Sequence, residues 1–443
     1  MPTLSGDPGA SVTPAPKPHR RGTWFIVFVS VSLTILTIVI GRNFVGSKAP
    51  SRQPLPHLYS IHDSAFTRAL GLALGPSVVG GNQIVTLLNG DEIFPAMLRE
   101  IRGAQKTITM ETFIYWAGDT RKAFAVALAE RARAGVKVHL LVDWVGSSKM
   151  DDSDVVSMEK AGVVVQRFRP IRWYSLDRVN KRTHRKLLVV DGRVGFTGGV
   201  GIADVWSGHA QDSTHWRDSH YRVTGPVVSQ MQAAFMQNWA EATGEELEGN
   251  DYFPPLAPSG PLNAQLFYSS PSTGSSSMEL MYLLAIAAAD RTIYLSSAYF
   301  VPDALTEDAL KDALKRGVVV KIITPGKFID SKVTRGASRS RWGTLLAAGA
   351  EIDEYGPTMY HCKVFIVDDL LVSVGSTNWD PRSFGLNDEA NLNIYDADFA
   401  RRQSAVFRED RTKSHRITYA EWKARPLREK VAEKLASLLG RVL

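Results

Sequence analysis

From about residue 84 the chain alternates two hydrophobic rhythms. Stretches with apolar residues three or four apart give way to short β-branched runs, and the pair recurs down the chain. This predicts an α/β fold with parallel-rich sheets and helices on their faces. The alternation itself repeats. Ile101-Arg-Gly-Ala-Gln-Lys-Thr-Ile108 aligns without gaps on Ile286-Ala-Ala-Ala-Asp-Arg-Thr-Ile293, each a helix end feeding a predicted strand (107–116 and 292–300). Next, Leu128…Gly135-Val-Lys-Val matches Leu310…Gly317-Val-Val-Val, a helix stopped by glycine before another strand. Ala161-Gly162…Pro170 then matches Ala348-Gly349…Pro357. The expected organisation is two pseudo-twofold-related domains, 84–246 and 263–409. A linker at 247–262 holds Pro254, Pro255, Pro258 and Pro261, and residues 42–83 form a linker ahead of both.

The ends break this rhythm. Trp24 to Ile40 is apolar, with only Ser30, Ser32, Thr34 and Thr37 interrupting it. That is the short end of a membrane-spanning helix, which needs roughly 17–25 residues. The alternative is a cleaved signal peptide, but Pro50 directly follows the nearest small-x-small site, Ser47-Lys48-Ala49. The expectation is a disordered basic segment at 1–22 and an uncleaved anchor at 23–41 in the inner (plasma) membrane, its orientation only weakly set by flanking charge. At 410–443 a basic amphipathic helix is expected, with Leu427, Val431, Leu435, Leu438 and Val442 at helical spacing. Such a stripe ordinarily packs on a core. Arg425, Arg428, Lys430 and Lys434 beside it leave a membrane-surface helix as the other reading.

Composition adds little beyond sign. The net charge of +7 favours an anionic partner, whether nucleic acid, anionic lipid or a phosphorylated substrate. Cys362 is the only cysteine, so no intrachain disulfide can form.

The chemistry lies in a motif that the repeat carries twice. His184-Arg-Lys186 is followed by Asp191 and Gly198-Gly199, and His361-Cys-Lys363 by Asp368 and Gly375-Ser376-Thr377-Asn378, at the same spacing. In an extended strand His184 and Lys186 share a face, as do His361 and Lys363, while Cys362 points away as a packed thiol. A neutral imidazole is a competent nucleophile, and a second, protonated one can serve as general acid toward a leaving alkoxide. The lysines supply positive charge, with Ser376 and Asn378 as donors, which together suits a tetrahedral phosphoryl group. Asp218 and Glu389 are candidates for holding each imidazole by its other nitrogen. No metal or other cofactor is expected: no third ligand recurs at zinc spacing, and a lysine beside each histidine repels a cation.

These residues resemble the phospholipase D superfamily, and most closely its bacterial cardiolipin synthase branch. The resemblance rests on His184-Arg-Lys-Leu-Leu-Val-Val-Asp191, Phe196-Thr-Gly-Gly199, Trp216-Arg-Asp218 and Tyr299-Phe-Val-Pro-Asp303. It extends through His361-Cys-Lys363…Asp368 and Gly375-Ser-Thr-Asn378…Asn387-Asp-Glu389, covering roughly residues 84–440. It implies a fold of two mixed-sheet sandwich domains sharing one active site, with His184, Lys186, Asp191, His361, Lys363 and Asp368 as the catalytic set. One histidine would carry a covalent phosphate, with family precedent favouring His184, and an alcohol would resolve it without metal. Gly201 stands where the family usually has Asn. Neighbouring backbone N–H groups or a water would replace that donor, or its loss weakens phosphate binding or makes room for a larger acceptor; a positive φ is a further reason for glycine there.

The function expected from all of this is a membrane-anchored phosphatidyltransferase making cardiolipin from phosphatidylglycerol and a second phospholipid. A phospholipase D using water is the alternative, with a nuclease or a non-catalytic membrane scaffold behind it. The expected partners are anionic phospholipids and the membrane, not nucleic acid, and the chain is expected to be a monomer with an internal pseudo-dimer.

Overall fold

The computed structural model describes residues 20–41, 55–172, 179–270 and 277–438. Most of the expected basic N-terminal segment, the first part of the expected linker and Val442 of the C-terminal stripe lie outside these residues. The N-terminal apolar run forms helix α1 (Arg20–Gly41). Every large apolar side chain from Trp24 to Ile38 is exposed, on all sides of the helix. Among the described residues, no helix is long and apolar enough to cross a membrane. The stretch of α1 whose side chains are described, 24–39, measures about 24 Å at 1.5 Å per residue.

The expected linker 42–83 holds two elements instead. Helix α2 (Ser64–Leu74) is capped by Asp63, whose carboxylate accepts from the Ala65 N–H at 2.7 Å. Its Phe66 and Leu70, with Ile61 just ahead of it, are buried in a core built mainly by the second repeat. Strand β1 (Val79–Leu88) follows.

The first repeat continues through α3 (Asn89–Gly103), β2 (Thr107–Thr112), α4 (Asp119–Arg133), β3 (Lys137–Asp143), α5 (Asp152–Lys160) and β4 (Val164–Phe168). It closes with β5 (Leu187–Val190), β6 (Val194–Gly198), β7 (Ser219–Thr224) and α6 (Val228–Thr243). The second repeat opens with β8 (Leu262–Ser269), α7 (Ser277–Ala288), β9 (Thr292–Ser297), α8 (Ala304–Lys315), β10 (Val319–Pro325), α9 (Lys332–Ala347) and β11 (Glu351–Tyr355). It ends with β12 (Lys363–Val367), β13 (Leu371–Gly375), α10 (Pro381–Gly385), β14 (Glu389–Tyr395) and α11 (Ala397–Thr412). Both β2 and β9 are shorter than the sequence predicted, because the chain leaves the sheet at Phe113 and Ala298.

All strands join one mixed sheet, in the order β15-β11-β10-β9-β12-β13-β14-β8-β1-β7-β6-β5-β2-β3-β4, where β15 is Ser414–Ile417. From the β8–β1 pair at the centre the two arms run identically outward: β7 answers β14, β6 answers β13, β5 answers β12, and β2-β3-β4 answer β9-β10-β11. Only β2-β3-β4 and β9-β10-β11 are parallel to one another, and β15 adds an antiparallel edge beyond β11. At the centre, α6 and α11 cover a core shared by both arms. Val189 and Met231 from one side and Cys362, Ile366 and Phe407 from the other belong to the same buried cluster. Over the described residues 410–438, the expected single helix is instead the end of α11, β15, α12 (Tyr419–Ala424) and α13 (Leu427–Leu438).

Candidate active site

The histidines sit just ahead of β5 and β12, where each chain segment crosses to the opposite arm. Thr183 forms a bridge with Asp388, and Tyr360 with Arg217. As a result the His184 N–H donates to the Asp388 carbonyl at 2.8 Å, and the His361 N–H to the Arg217 carbonyl at 2.8 Å. Asp388 and Arg217 each precede a carboxylate in sequence, so the crossing places that carboxylate beside the other arm's imidazole. His184 Nδ1 lies 3.0 Å from both oxygens of Glu389, and His361 Nδ1 lies 2.7 Å from Asp218 Oδ2. The pairing is crosswise: each half supplies the carboxylate for the histidine of the other.

A carboxylate only accepts, so each Nδ1 carries the proton and each Nε2 presents a lone pair. Each carboxylate is held in turn. Ser376 Oγ donates to Glu389 Oε2, and Asn387 Nδ2 to Oε1. Asp218 accepts from Trp206 Nε1 at 3.0 Å and from the Ser219 N–H at 2.8 Å. The imidazoles are walled by rings: Phe113 lies edge-on to His184 at 5.3 Å between centroids, and Trp206 and Trp216 lie 5.3 and 5.4 Å from His361.

Burial governs the charges here. It drives the His184 pKa down to about 4, with Lys186 and Lys363 adding to the effect against the opposing pull of Glu389. His361 is lowered too, by burial and then by Lys363. Lys186 falls to about 7 through burial and the charge of Lys363, and burial also lowers Lys363. Burial alone would raise both carboxylates. The imidazole and lysine partners outweigh it and hold Glu389 and Asp218 below the ordinary carboxylate range. The set therefore consists of two neutral imidazoles, two carboxylates and two lysines with weakened hold on their protons. Lys186 Nζ donates to the His184 carbonyl at 2.8 Å and Lys363 Nζ to the His361 carbonyl at 2.7 Å, leaving further N–H donors on each ammonium.

Not every expected residue is in this set. Asp191 and Asp368 stand at the far ends of β5 and β12, seven residues past each histidine and so roughly 23 Å along an extended strand. Asp191 accepts from the N–H groups of Gln105, Lys106 and Thr107, and Asp368 from those of Asp290, Arg291 and Thr292. Their geometry makes them clasps that fix the start of β2 and β9, so the expectation of a catalytic role is corrected. Ser376, expected as a phosphate donor, is committed to Glu389. Asn378 is buried, and its side-chain Oδ1 has no hydrogen-bond partner. Gly201 lacks positive φ, and the space an added side chain would take is filled. A Cβ there would lie 2.8 Å from Ile114 Cβ and 3.2 Å from the Trp206 ring, so no room for a larger acceptor opens at this position. Cys362 is buried and burial pushes its thiol up to about 12, an unreactive group.

Sequence reading missed the layer behind the histidines. Thr183 Oγ1 donates to Glu111 Oε1 at 2.5 Å, and Asn238 Nδ2 donates to the same oxygen at 2.6 Å. On the other arm, Ser296 and Tyr360 occupy the corresponding places, 2.8 Å apart, and Tyr360 donates to Asp410, which grips Arg217 through both oxygens. The signal available was a lone glutamate in the strand Thr107–Thr112, which is otherwise uncharged. Among the described residues, no group of three or more His, Cys, Asp or Glu side chains stands where it could hold a metal ion.

The fold is that of a phospholipase D-like protein. It superposes on a phosphatidylserine synthase of Haemophilus influenzae with a TM-score of 0.64 at 15% identity, covering 85% of this chain and all of that one. The family model described as "Cardiolipin synthase, PLD-like domain" matches residues 97–239 and 282–411. A cardiolipin synthase of Geobacillus kaustophilus is 36% identical over 82% of this chain and 72% of its own length. The major cardiolipin synthase ClsA of Bacillus subtilis is 33% identical over 82% and 76%. The chain belongs to the cardiolipin synthase family, a family of phosphatidyltransferases within the phospholipase D superfamily.

Proposed function

We propose that this protein transfers a phosphatidyl group from phosphatidylglycerol to a second phospholipid, making cardiolipin by way of a phosphohistidine on His184. The observation that carries the reading is the crosswise pairing of two neutral imidazoles with two carboxylates beside two lysines. His184 Nε2 attacks phosphorus; the P–N bond forms as the P–O bond to the departing glycerol breaks. The proton for that alkoxide comes from His361, which takes up a second proton when an anionic diester enters and adds negative charge beside it. In the second half-reaction His361 accepts the proton of the incoming hydroxyl, whose oxygen displaces His184 from phosphorus. Lys186, Lys363 and the amide of Asn378 offset the charge that develops on the phosphoryl oxygens.

One asymmetry supports His184 as the nucleophile. Lys363 Nζ lies 3.1 Å from Nδ1 and 3.2 Å from Nε2 of His361, so its ammonium stands against that ring and crowds the approach of its Nε2 to phosphorus. No comparable contact occupies Nε2 of His184 among the described residues.

The two repeats, 84–246 and 263–409, act on this reading as paired domains sharing one site within a monomer, since each lacks the carboxylate that the other supplies. The same proposal places the protein at the plasma membrane through the apolar segment 23–41. In its support, the large apolar side chains of α1 are exposed all round, as in a helix that meets lipid. Purified full-length protein given labelled phosphatidylglycerol should yield cardiolipin and glycerol in equal amounts. Phosphatidic acid and glycerol without cardiolipin would identify a hydrolase and overturn the transfer. Cardiolipin appearing in a cardiolipin-deficient bacterium that expresses the chain would support the same reading in cells.

A further inference from the structure

Helix α13 packs the wrong way round for a soluble protein. Its apolar stripe, expected to face the core, points outward: Leu427, Val431, Leu435 and Leu438 are 76, 52, 60 and 71% exposed. The face turned to α9 carries a charge and a small residue instead. Glu433 is buried, its carboxylate paired with Arg425 at 2.6 Å and with Arg339 at 3.1 Å, and Ala436 lies against Gly336. Two ion pairs and a close backbone approach thus hold the helix so that its apolar side stays uncovered. A helix held only by its apolar face would have rolled over.

The contacts also give its direction. Trp422 touches Gly343 and donates to the Arg339 carbonyl, Glu433 meets Arg339, and Ala436 meets Gly336. The chain therefore runs antiparallel to α9, and its Leu438 end approaches the first turn of α9. That turn follows Asp330, whose charge is felt at both His361 and Lys363. Val333, in the same turn, is exposed as well, and Lys327 and Lys332 beside it are exposed cations. On α13 itself Arg428, Lys430 and Lys434 border the stripe. Its acidic residues are Glu429 and Glu433, the latter already committed to arginines.

We propose that α13 is an in-plane membrane contact that seats the site's mouth on an anionic bilayer surface. The leucines and valine enter the acyl boundary while Arg428, Lys430 and Lys434 meet headgroup phosphates. This deepens the lipid-substrate reading and rests on it: lipid would reach His184 and His361 without leaving the bilayer fully.

The test uses the full-length protein. Because Cys362 is buried, a cysteine introduced as Leu435→Cys can be spin-labelled selectively. In vesicles of phosphatidylglycerol and phosphatidylethanolamine the label should be accessible to oxygen and shielded from a water-soluble relaxant. A label at Lys122→Cys on α4 should show the reverse. If the label at 435 stays as open to the aqueous relaxant as the one at 122, the proposal is overturned. Spin–spin broadening that vanishes on dilution with unlabelled protein would assign the face to a second copy, and also overturns it. A second arm separates contact from fold. Changing Leu427, Val431, Leu435 and Leu438 together to Ser should lower turnover on vesicles at least tenfold and leave turnover of a soluble short-chain phosphatidylglycerol unchanged. Equal loss on both substrates, or no loss on either, overturns the proposal. The spin-label result holds whether or not the protein proves to be a transferase, so the two readings can fail separately.

Discussion

The two arms of the sheet share a skeleton but furnish it differently. Around His184 the carboxylate is a glutamate braced by a hydroxyl and an amide, Ser376 and Asn387. Around His361 it is an aspartate braced by an indole and a backbone N–H, Trp206 and Ser219. At the place of Ser376 the first arm has Gly199, where a Cβ would lie 2.2 Å from Asp218 Oδ1. The shorter aspartate sits close to the backbone, and only glycine leaves it space; the longer glutamate reaches past a serine and uses its hydroxyl. The lesson is that pseudo-symmetry is kept in the hydrogen-bonded frame and lost in the side chains. On the proposed mechanism, that loss lets two like histidines take unlike roles.

Imposing symmetry should therefore do harm. Gly199→Ser would copy the second arm onto the first, but its Cβ must expel the Asp218 carboxylate from its seat. A fall in turnover of roughly 100-fold is expected, within the range for losing general acid–base function. Steady-state kinetics on phosphatidylglycerol vesicles measures it, and an unchanged rate would show that Asp218 does not position His361. The reverse change, Ser376→Ala, removes one hydrogen bond to a charged group, which is worth about 1.5–3 kcal/mol. The expected result is roughly a tenfold drop in turnover with the fold intact, and a drop no larger than twofold would remove Ser376 from the account.

Gly201→Asn is expected to be milder. Ile114 and the Trp206 ring must move by a few tenths of an ångström, destabilising the protein by about 1–3 kcal/mol, as overpacking does. Turnover should fall only several-fold, through Trp206 and its bond to Asp218. Thermal unfolding followed by circular dichroism gives the first quantity; a variant as stable as the parent would mean the neighbours yield freely.

The smallest effect is on pH. His184 must be neutral to attack, and its pKa is lowered to about 4, so kcat/KM should rise as pH climbs through about 4. Lys186 must be charged to hold the phosphate, and its pKa is lowered to about 7, so kcat/KM should fall as pH climbs through about 7. The profile of the free enzyme is then bell-shaped between those limits, and a plateau extending to pH 9 would show that Lys186 keeps its proton.

How much of this could be read beforehand follows from range. The repeat, the strand–helix alternation and the identities of His184, Lys186, His361, Lys363, Asp218 and Glu389 are local patterns, and the chain displays them directly. Which carboxylate meets which histidine is not local: Glu389 is 205 residues from His184, and only the crossing at Thr183 and Asp388 decides it. Asp191 and Asp368 were misread because their regular spacing from the histidines says nothing about which end of the strand faces the chemistry. Helix α2 was missed because Pro50, Pro54, Pro56 and Pro76 on either side of it suggested a linker, although Asp63-Ser64 with Phe66 and Leu70 is a legible cap and apolar face. The stripe of α13 was legible as a stripe. The direction it faces depends on the ion pairs of Glu433 with Arg339 and Arg425, which periodicity does not report.

The most direct test of the division of labour is to trap the covalent intermediate by rapid acid-free quenching with phosphatidylglycerol labelled in its phosphate. Both His184→Ala and His361→Ala should lose turnover by at least 10²–10⁴-fold, since the two residues act as a unit. His361→Ala should still accumulate an acid-labile phosphoprotein with the label on His184, and His184→Ala should accumulate none. Label found on His361 in the His184→Ala variant would contradict the account.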